Sequence, residues 1–136
     1  MATRLSHLGI AVPAHAEVIR FWRDLLELPL EHTEHGESDG VTVAMLKLEE
    51  GSGCIELLQP DAGDNPVRRF MEKRGAGIHH IALEVDDIHA MVERLRAADV
   101  RMIDSSPRPG AHGTTVAFVH PKSTGGVLVE LVQAGG

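Results

Sequence analysis

The sequence predicts an α+β fold of two tandem βαβββ modules, whose curved mixed sheets enclose a cleft. Three observations predict it. First, Ser6-His7-Leu8-Gly9-Ile10-Ala11-Val12 and His80-Ile81-Ala82-Leu83-Glu84-Val85 both read as short apolar strands that begin at a histidine. Second, Ile55-Glu56-Leu57-Leu58 and Val129-Glu130-Leu131-Val132 each set a glutamate inside an apolar run, 49 residues after His7 and 50 after His80. Third, Thr42-Val43-Ala44-Met45 matches Thr115-Val116-Ala117-Phe118 at an offset of 73, the same offset that relates the histidines. The glutamates differ by 74, so the second copy gains one residue in its last turn. Agreement in order, offset and residue type at three points marks an internal repeat.

Each element follows from local pattern. His7 to Val12 is a buried strand ended by Pro13. Ala16 to Leu28 is helical, with Val18, Phe21, Trp22, Leu25 and Leu26 at i, i+3, i+4, i+7 and i+8. Thr33 to Gly40 is polar and reads as a loop. Val41 to Leu48 and Cys54 to Gln59 are strands around the turn Glu49-Glu50-Gly51-Ser52-Gly53. Asn65-Pro66 is an N-cap with proline at the first helical position, opening a helix to Arg74 that Gly75-Ala76-Gly77 ends.

The order then repeats. Ile78 to Val85 is a strand, and Asp86 or Asp87 caps a helix with Ile88, Met91, Val92 and Leu95 on one face. Val100 to Ile103 is a short strand, Ser105 to Gly113 a Pro/Gly-rich loop, and Thr114 to Val119 and Val127 to Val132 are the last strands. The reading is of one domain over 1–136, with module one at about 4–60, module two at about 77–133 and a helical linker between. Each module alone is of a size at which an independent core is marginal.

Composition narrows the function classes. Thirteen Lys and Arg against twenty Asp and Glu leave a net charge of −7 with no long basic run, which argues against nucleic acid and anionic membranes as partners. A small anionic ligand stays open. The single cysteine, Cys54, can form no internal disulfide, so a reducing compartment is expected. Nothing near Met1 reads as a signal peptide and no apolar run approaches about 18 residues. A cytoplasmic protein is the expectation.

The repeat carries a candidate metal site. An ionised carboxylate inside an apolar strand is costly unless paired or metal-bound. Strand alternation could instead point such a glutamate at a polar outer face. That reading leaves the matching of two glutamates with two histidines a coincidence, so His7, Glu56, His80 and Glu130 are read as four ligands of one ion. Two imidazoles and two carboxylates suit a divalent Co, Mn, Ni or Zn ion, and the lack of thiolates argues against structural zinc. Four protein ligands on an octahedral ion leave two adjacent positions, the geometry that chelates a 1,3-dicarbonyl and stabilises its enolate. His79 falls on the opposite face from His80 and is read as structural. Histidines 15, 32, 35, 89, 112 and 120 sit in polar, helical or turn contexts and read mostly as solvated, with His112 and His120 nearest the cleft.

These residues resemble the vicinal oxygen chelate (glyoxalase/bleomycin resistance) superfamily and, within it, the methylmalonyl-CoA epimerases. The matching stretches are Ile55-Glu56-Leu57-Leu58-Gln59-Pro60, the run from Gly77 through His79-His80 to Ile88, and His120-Pro121-Lys122-Ser123-Thr124-Gly125-Gly126-Val127 leading into Glu130. The resemblance implies a glyoxalase-like fold, interconversion of (2R)- and (2S)-methylmalonyl-CoA by removal and return of the α-proton, and a metal at His7, Glu56, His80 and Glu130. Some members carry Gln at the Glu56 position. Some carry a glutamate, proposed as general base, where this chain has Val43, so Glu130 or a water on the metal is left as candidate base. The coenzyme tail calls for cations. Lys122, Ser123 and Thr124 are the candidate contacts, while Arg68, Arg69, Lys73 and Arg74 on the linker helix read equally well as a solvated face. The family also implies a homodimer.

Three rivals share the fold. A glyoxalase I-type isomerase (lactoylglutathione lyase) has a similar site, but the His-Pro-Lys-Ser-Thr-Gly-Gly turn speaks for the epimerases. A ring-cleaving dioxygenase uses two histidines and one carboxylate, and Glu56 is one ligand too many. A metal-free antibiotic-binding protein needs no ligand set at all. The sequence leaves open the native metal and the preference between methylmalonyl and ethylmalonyl thioesters.

Overall fold

The structure is a computed structural model that describes residues 1–36 and 39–135. The chain forms two compact units, one of residues 7–79 and one of residues 1–6 with 80–136. The first strand, β1 (Ala2–Ala11), starts five residues before the predicted His7 and contributes to both.

In the unit of residues 7–79, the end of β1 is followed by α1 (His15–Ile19), β2 (Leu30–Gly36), β3 (Val41–Lys47), β4 (Cys54–Pro60) and α2 (Pro66–Arg74). The strand order is β2-β3-β4-β1, with β4 antiparallel to β3 and parallel to β1. Two expectations fail here. The predicted loop from Thr33 begins as a strand, β2, paired antiparallel to β3. Its polarity is that of an edge strand, which carries charge without burying it. Residues 37 and 38 of that predicted loop lie outside the described residues. The predicted helix of Ala16 to Leu28 is also not uniform, because α1 passes into a π-helical stretch, Arg20–Leu25. The Leu26 N–H bonds the Phe21 carbonyl five residues back at 3.0 Å. That wider turn breaks the 3.6-residue register. Val18, Ile19 and Trp22 pack on Val12, Leu46 and Leu57, whereas Phe21, Leu25 and Leu26 are exposed.

The other unit holds the start of β1, the strand β5 (Gly77–Val85) from His80 onward, α3 (Ile88–Ala97), β6 (Arg108–Pro109), β7 (Thr115–Val119) and β8 (Leu128–Gln133). Its order is β1-β5-β8-β7-β6. β5 runs parallel to β8, and β7 antiparallel to β8 and β6. So β6-β7-β8-β5 repeats β2-β3-β4-β1. The first residues of β1 join this unit through Thr3, whose hydroxyl donates to the Glu84 carbonyl, and through the Arg4–Glu84 ion pair, both at 3.1 Å. The predicted strand Val100 to Ile103 reduces to one bridge, Met102 with Val119. Asp104 explains this: its carboxylate accepts the Phe118 N–H at 2.7 Å and replaces the backbone partner there. The ladder resumes at Arg108, within the predicted Ser105 to Gly113 loop.

The helix caps follow the sequence. Asn65 accepts from the Arg68 N–H at 2.9 Å, with Pro66 at the helix start, and Asp87 accepts from Ala90 at 3.1 Å. α3 buries Ile88 and Val92 against Ala117, Val119 and Leu131. Each such aliphatic side chain contributes about 1.5–3 kcal/mol when fully buried. The modules share one further device: Gln59 at the end of β4 accepts from the His15 N–H that opens α1, and Gln133 at the end of β8 accepts from the Ile88 N–H that opens α3, both at 2.7 Å.

Candidate metal centre

In both modules a parallel strand pair sets a histidine beside a glutamate. In the first, Glu56 lies opposite Gly9, two residues beyond His7. In the second, Glu130 lies opposite Ala82, two residues beyond His80. Residues two apart on a strand point to the same face, so imidazole and carboxylate meet. His7 Nδ1 is 3.5 Å from a Glu56 carboxylate oxygen, and His80 Nε2 is 3.3 Å from one of Glu130. All four side chains are 8–14% exposed. The opposite face of each strand pair is committed to apolar packing: Leu57 against α1 and Leu131 against α3.

The donors fit a divalent ion. Each pair offers one imidazole nitrogen and one carboxylate oxygen, shielded from water, and a shielded carboxylate requires a cation or strong hydrogen bonds. Cys54, opposite His7 in the ladder, stays a thiol: burial above all, then the charges of Glu56 and Glu31, push it up to about 11. The small Gly9 and the fully buried Ala82 face the two glutamates and leave room for them. Aromatic support exists in the second module, where the Phe118 ring meets His80 edge-on at 6.0 Å. The ladder sets Phe118 opposite Glu130, and Met45 opposite Glu56.

The remaining residues singled out in the sequence are placed as follows. His79 packs edge-on against Phe70 of α2, with centroids 5.1 Å apart. His15, read as solvated, is half-buried, and its Nε2 lies 2.8 Å from the Leu57 carbonyl. His35 pairs with Asp61 at 2.8 Å, and His32 lies 3.7 Å from Glu34. His120 Nδ1 accepts the Lys122 N–H at 3.0 Å, and partial burial and the cations Arg101 and Lys122 hold its pKa below the usual histidine value. Val43 is half-buried and packs against the cluster of Ala11, Val41, Leu58 and Val67.

The turn after His120 is tightly built. Ser123 Oγ accepts the Arg101 N–H at 2.8 Å, and the Thr124 hydroxyl donates to the Val127 carbonyl and accepts the Val127 N–H. Both hydroxyls therefore shape the turn. On α2, Arg68 donates to the Asp61 and Pro60 carbonyls, Arg69 pairs with Asp64 at 2.7 Å, and Arg74 lies over Phe70. Sequence reasoning missed Gln59 and Gln133, although Glu-Leu-Leu-Gln at 56–59 and Glu-Leu-Val-Gln at 130–133 are themselves part of the repeat.

Comparison with known proteins agrees with this architecture. Residues 6–118 match the Glyoxalase/Bleomycin resistance protein/Dioxygenase superfamily. The chain is 43% identical to a mitochondrial methylmalonyl-CoA epimerase of Dictyostelium discoideum, over 96% of this chain and 78% of that one. It is 42% identical to an ethylmalonyl-CoA/methylmalonyl-CoA epimerase of Cereibacter sphaeroides, over 98% of this chain and 99% of that one. Among solved structures, a methylmalonyl-CoA epimerase in complex with methylmalonyl-CoA and NH4+ superposes with a TM-score of 0.90 at 36% identity, over 98% of this chain and 96% of that one. The chain thus has the glyoxalase-like fold and belongs to the methylmalonyl-CoA epimerases of the glyoxalase/bleomycin resistance/dioxygenase superfamily.

Proposed function

We propose that this protein catalyses the metal-dependent epimerisation of (2R)- and (2S)-methylmalonyl-CoA. The observation that carries the reading is the His–Glu pair that recurs at the same ladder offset in both modules of a chain of this family. On this reading the two modules act as one domain, and His7, Glu56, His80 and Glu130 would together hold one divalent ion: Co, Mn, Ni or Zn. Bound there, the ion supplies Lewis acidity toward the thioester carbonyl and the carboxylate, which makes the carbon between them acidic.

The chain's own residues do the rest. Glu130 is the proposed catalytic carboxylate: as a displaceable ligand it would accept the α-proton, and inversion is completed by a proton delivered to the opposite face of that carbon. Its low exposure and the neighbouring His80 hold it in one orientation. Phe118 walls His80 with an apolar edge that excludes water. At the coenzyme end, Lys122 is the proposed cation for phosphate, on a turn that Ser123 and Thr124 keep rigid. No helix among the described residues is long and apolar enough to cross a membrane. We place the protein in the cytoplasm as a homodimer, on the single cysteine and on family likeness.

The test is α-proton exchange of methylmalonyl-CoA in deuterated solvent, followed by NMR. Exchange is expected with metal-loaded protein, lost on chelation and restored by a divalent ion. Purified protein with no bound divalent ion and no metal-dependent exchange would sink the reading.

A further inference from the structure

In the second module, four side chains follow one another across a single sheet face: His80 on β5, Glu130 on β8, Phe118 on β7 and Arg108 on β6. The register puts them there. Glu130 lies opposite both Ala82 and Phe118, and Arg108 lies opposite Val116, two residues before Phe118. The Arg108 guanidinium carbon is 5.7 Å from the centre of the Phe118 ring, and the same ring meets His80 edge-on. One aromatic side chain separates a permanent cation from the His80–Glu130 pair.

Arg108 is held more firmly than its half-exposed position requires. Its Nε donates to Asp104 at 3.0 Å, and the other Asp104 oxygen accepts the Phe118 N–H at 2.7 Å, so one carboxylate orients both the cation and the strand beneath it. Asp104 itself is only 16% exposed. The backbone is equally constrained. The Gly110 N–H bonds the Thr114 carbonyl at 2.9 Å, and a Cβ on Gly110 would fall 2.7 Å from both Thr114 Oγ1 and Val116 Cγ1. Arginine carries five N–H donors in a planar fork. Asp104 takes the one on Nε, and among the described residues the two Nη groups have no partner. A surface ion pair for its own sake is worth only about 0–1 kcal/mol. A preoriented fork beside an acidic protein's candidate active site has a clearer use, because a local cation must offset a net charge of −7 before an anionic substrate approaches.

We propose that Arg108 binds an anionic oxygen group of the acyl-CoA substrate through its Nη groups, with Asp104 and Phe118 as the positioning residues that aim it. This rests on the epimerase reading above. Carboxylate and phosphate are alike in offering paired anionic oxygens to a guanidinium fork, and the substrate carries both.

Steady-state kinetics of wild type, Arg108→Gln and Arg108→Lys test this. Wild type is assayed first, and its failure to epimerise methylmalonyl-CoA would defeat the functional reading rather than this inference. With active wild type, Arg108→Gln is expected to raise KM about tenfold or more with a smaller change in kcat, as loss of a charge-assisted contact does. Arg108→Lys keeps the charge without the fork and is expected to lie between. Two probes separate the sources. Propionyl-CoA, an inhibitor with phosphates but no carboxylate, binds Arg108→Gln as well as wild type if Arg108 reads the carboxylate. Methylmalonyl-pantetheine, with the carboxylate but no phosphate, is handled equally by both if Arg108 reads phosphate. A folded Arg108→Gln whose KM and propionyl-CoA affinity stay within about twofold of wild type overturns the proposal. If Arg108→Gln fails to fold, Arg108→Lys decides alone: a KM raised at least about threefold supports the fork, and an unchanged KM overturns it.

Discussion

The two modules have one strand order, one ladder offset between histidine and glutamate and one glutamine at the end of the glutamate-bearing strand, yet they bury their helices differently. α3 is regular and its Ile88 is fully buried, whereas α1 gives way to a π-helical stretch that leaves Phe21 51% exposed. Their other faces differ too. α2 covers part of the first module's face through Val67, Phe70 and Met71, while the matching strip of the second, Ala82, Val116 and Val132, is a small cluster of strand residues alone. Duplication therefore preserved the strands that bear the histidines and glutamates more strictly than the helices that cover them. The His–Glu pairing depends on ladder register, where a slip of one residue turns every side chain to the wrong face. A helix needs only an apolar surface of about the right size.

The largest expected effect separates the two glutamates. Glu130→Gln is expected to abolish solvent exchange of the α-proton, while Glu56→Gln keeps exchange and weakens divalent-ion affinity, because an amide oxygen can still ligate but brings no charge. Ion titration and NMR exchange check both. Equal loss in the two variants would make the glutamates equivalent, and full exchange in metal-loaded Glu130→Gln would remove Glu130 from the mechanism.

Helix burial supplies the next contrast. Ile88→Ala is expected to cost about 2–5 kcal/mol in urea unfolding, and Phe21→Ala to stay within about 0.5 kcal/mol. A similar cost at both positions would mean that Phe21 is covered in solution.

A smaller effect is expected to be symmetric. Gln59→Met and Gln133→Met each remove one acceptor from a helix-opening N–H and should cost about 1–3 kcal/mol apiece. Unequal costs would show that only one module relies on the strand-to-helix link.

The smallest concerns His120, which has no histidine counterpart in the first module. Its pKa is held below the ordinary value, so as pH falls the unfolded chain takes up the proton first. The associated stability is present above the unfolded histidine pKa and is lost as pH falls through the folded one. Protonation also removes the Nδ1 acceptor of the Lys122 N–H. NMR titration should place His120 below the ordinary histidine value, and Lys122→Ala should move it upward.

Much of this was legible in the sequence. The caps at Asn65 and Asp87, the positions of β3, β4, β5, β7 and β8, and the placing of His79 and His80 on opposite faces of their strand followed from local chemistry and alternation. What escaped was set by partners distant in sequence. β2 looked like a loop because an edge strand can be polar on both faces. Sequence pattern puts the fourth strand of the second module at Val100 to Ile103, because nothing local shows that Asp104 will take the Phe118 N–H and defer pairing to Arg108.

By itself the sequence determined the repeat, the two histidines and two glutamates at its matching positions and the strands that bear them, because period-two burial and a duplicated motif are written in residue order. Only tertiary structure decided that each glutamate lies two residues past its histidine's level, that a π-helical stretch leaves Phe21 in solvent, and that Asp104 holds Arg108 over Phe118. Those depend on register and on side chains meeting across strands, and registers are chosen by the packing of whole elements rather than by the local preference of any one.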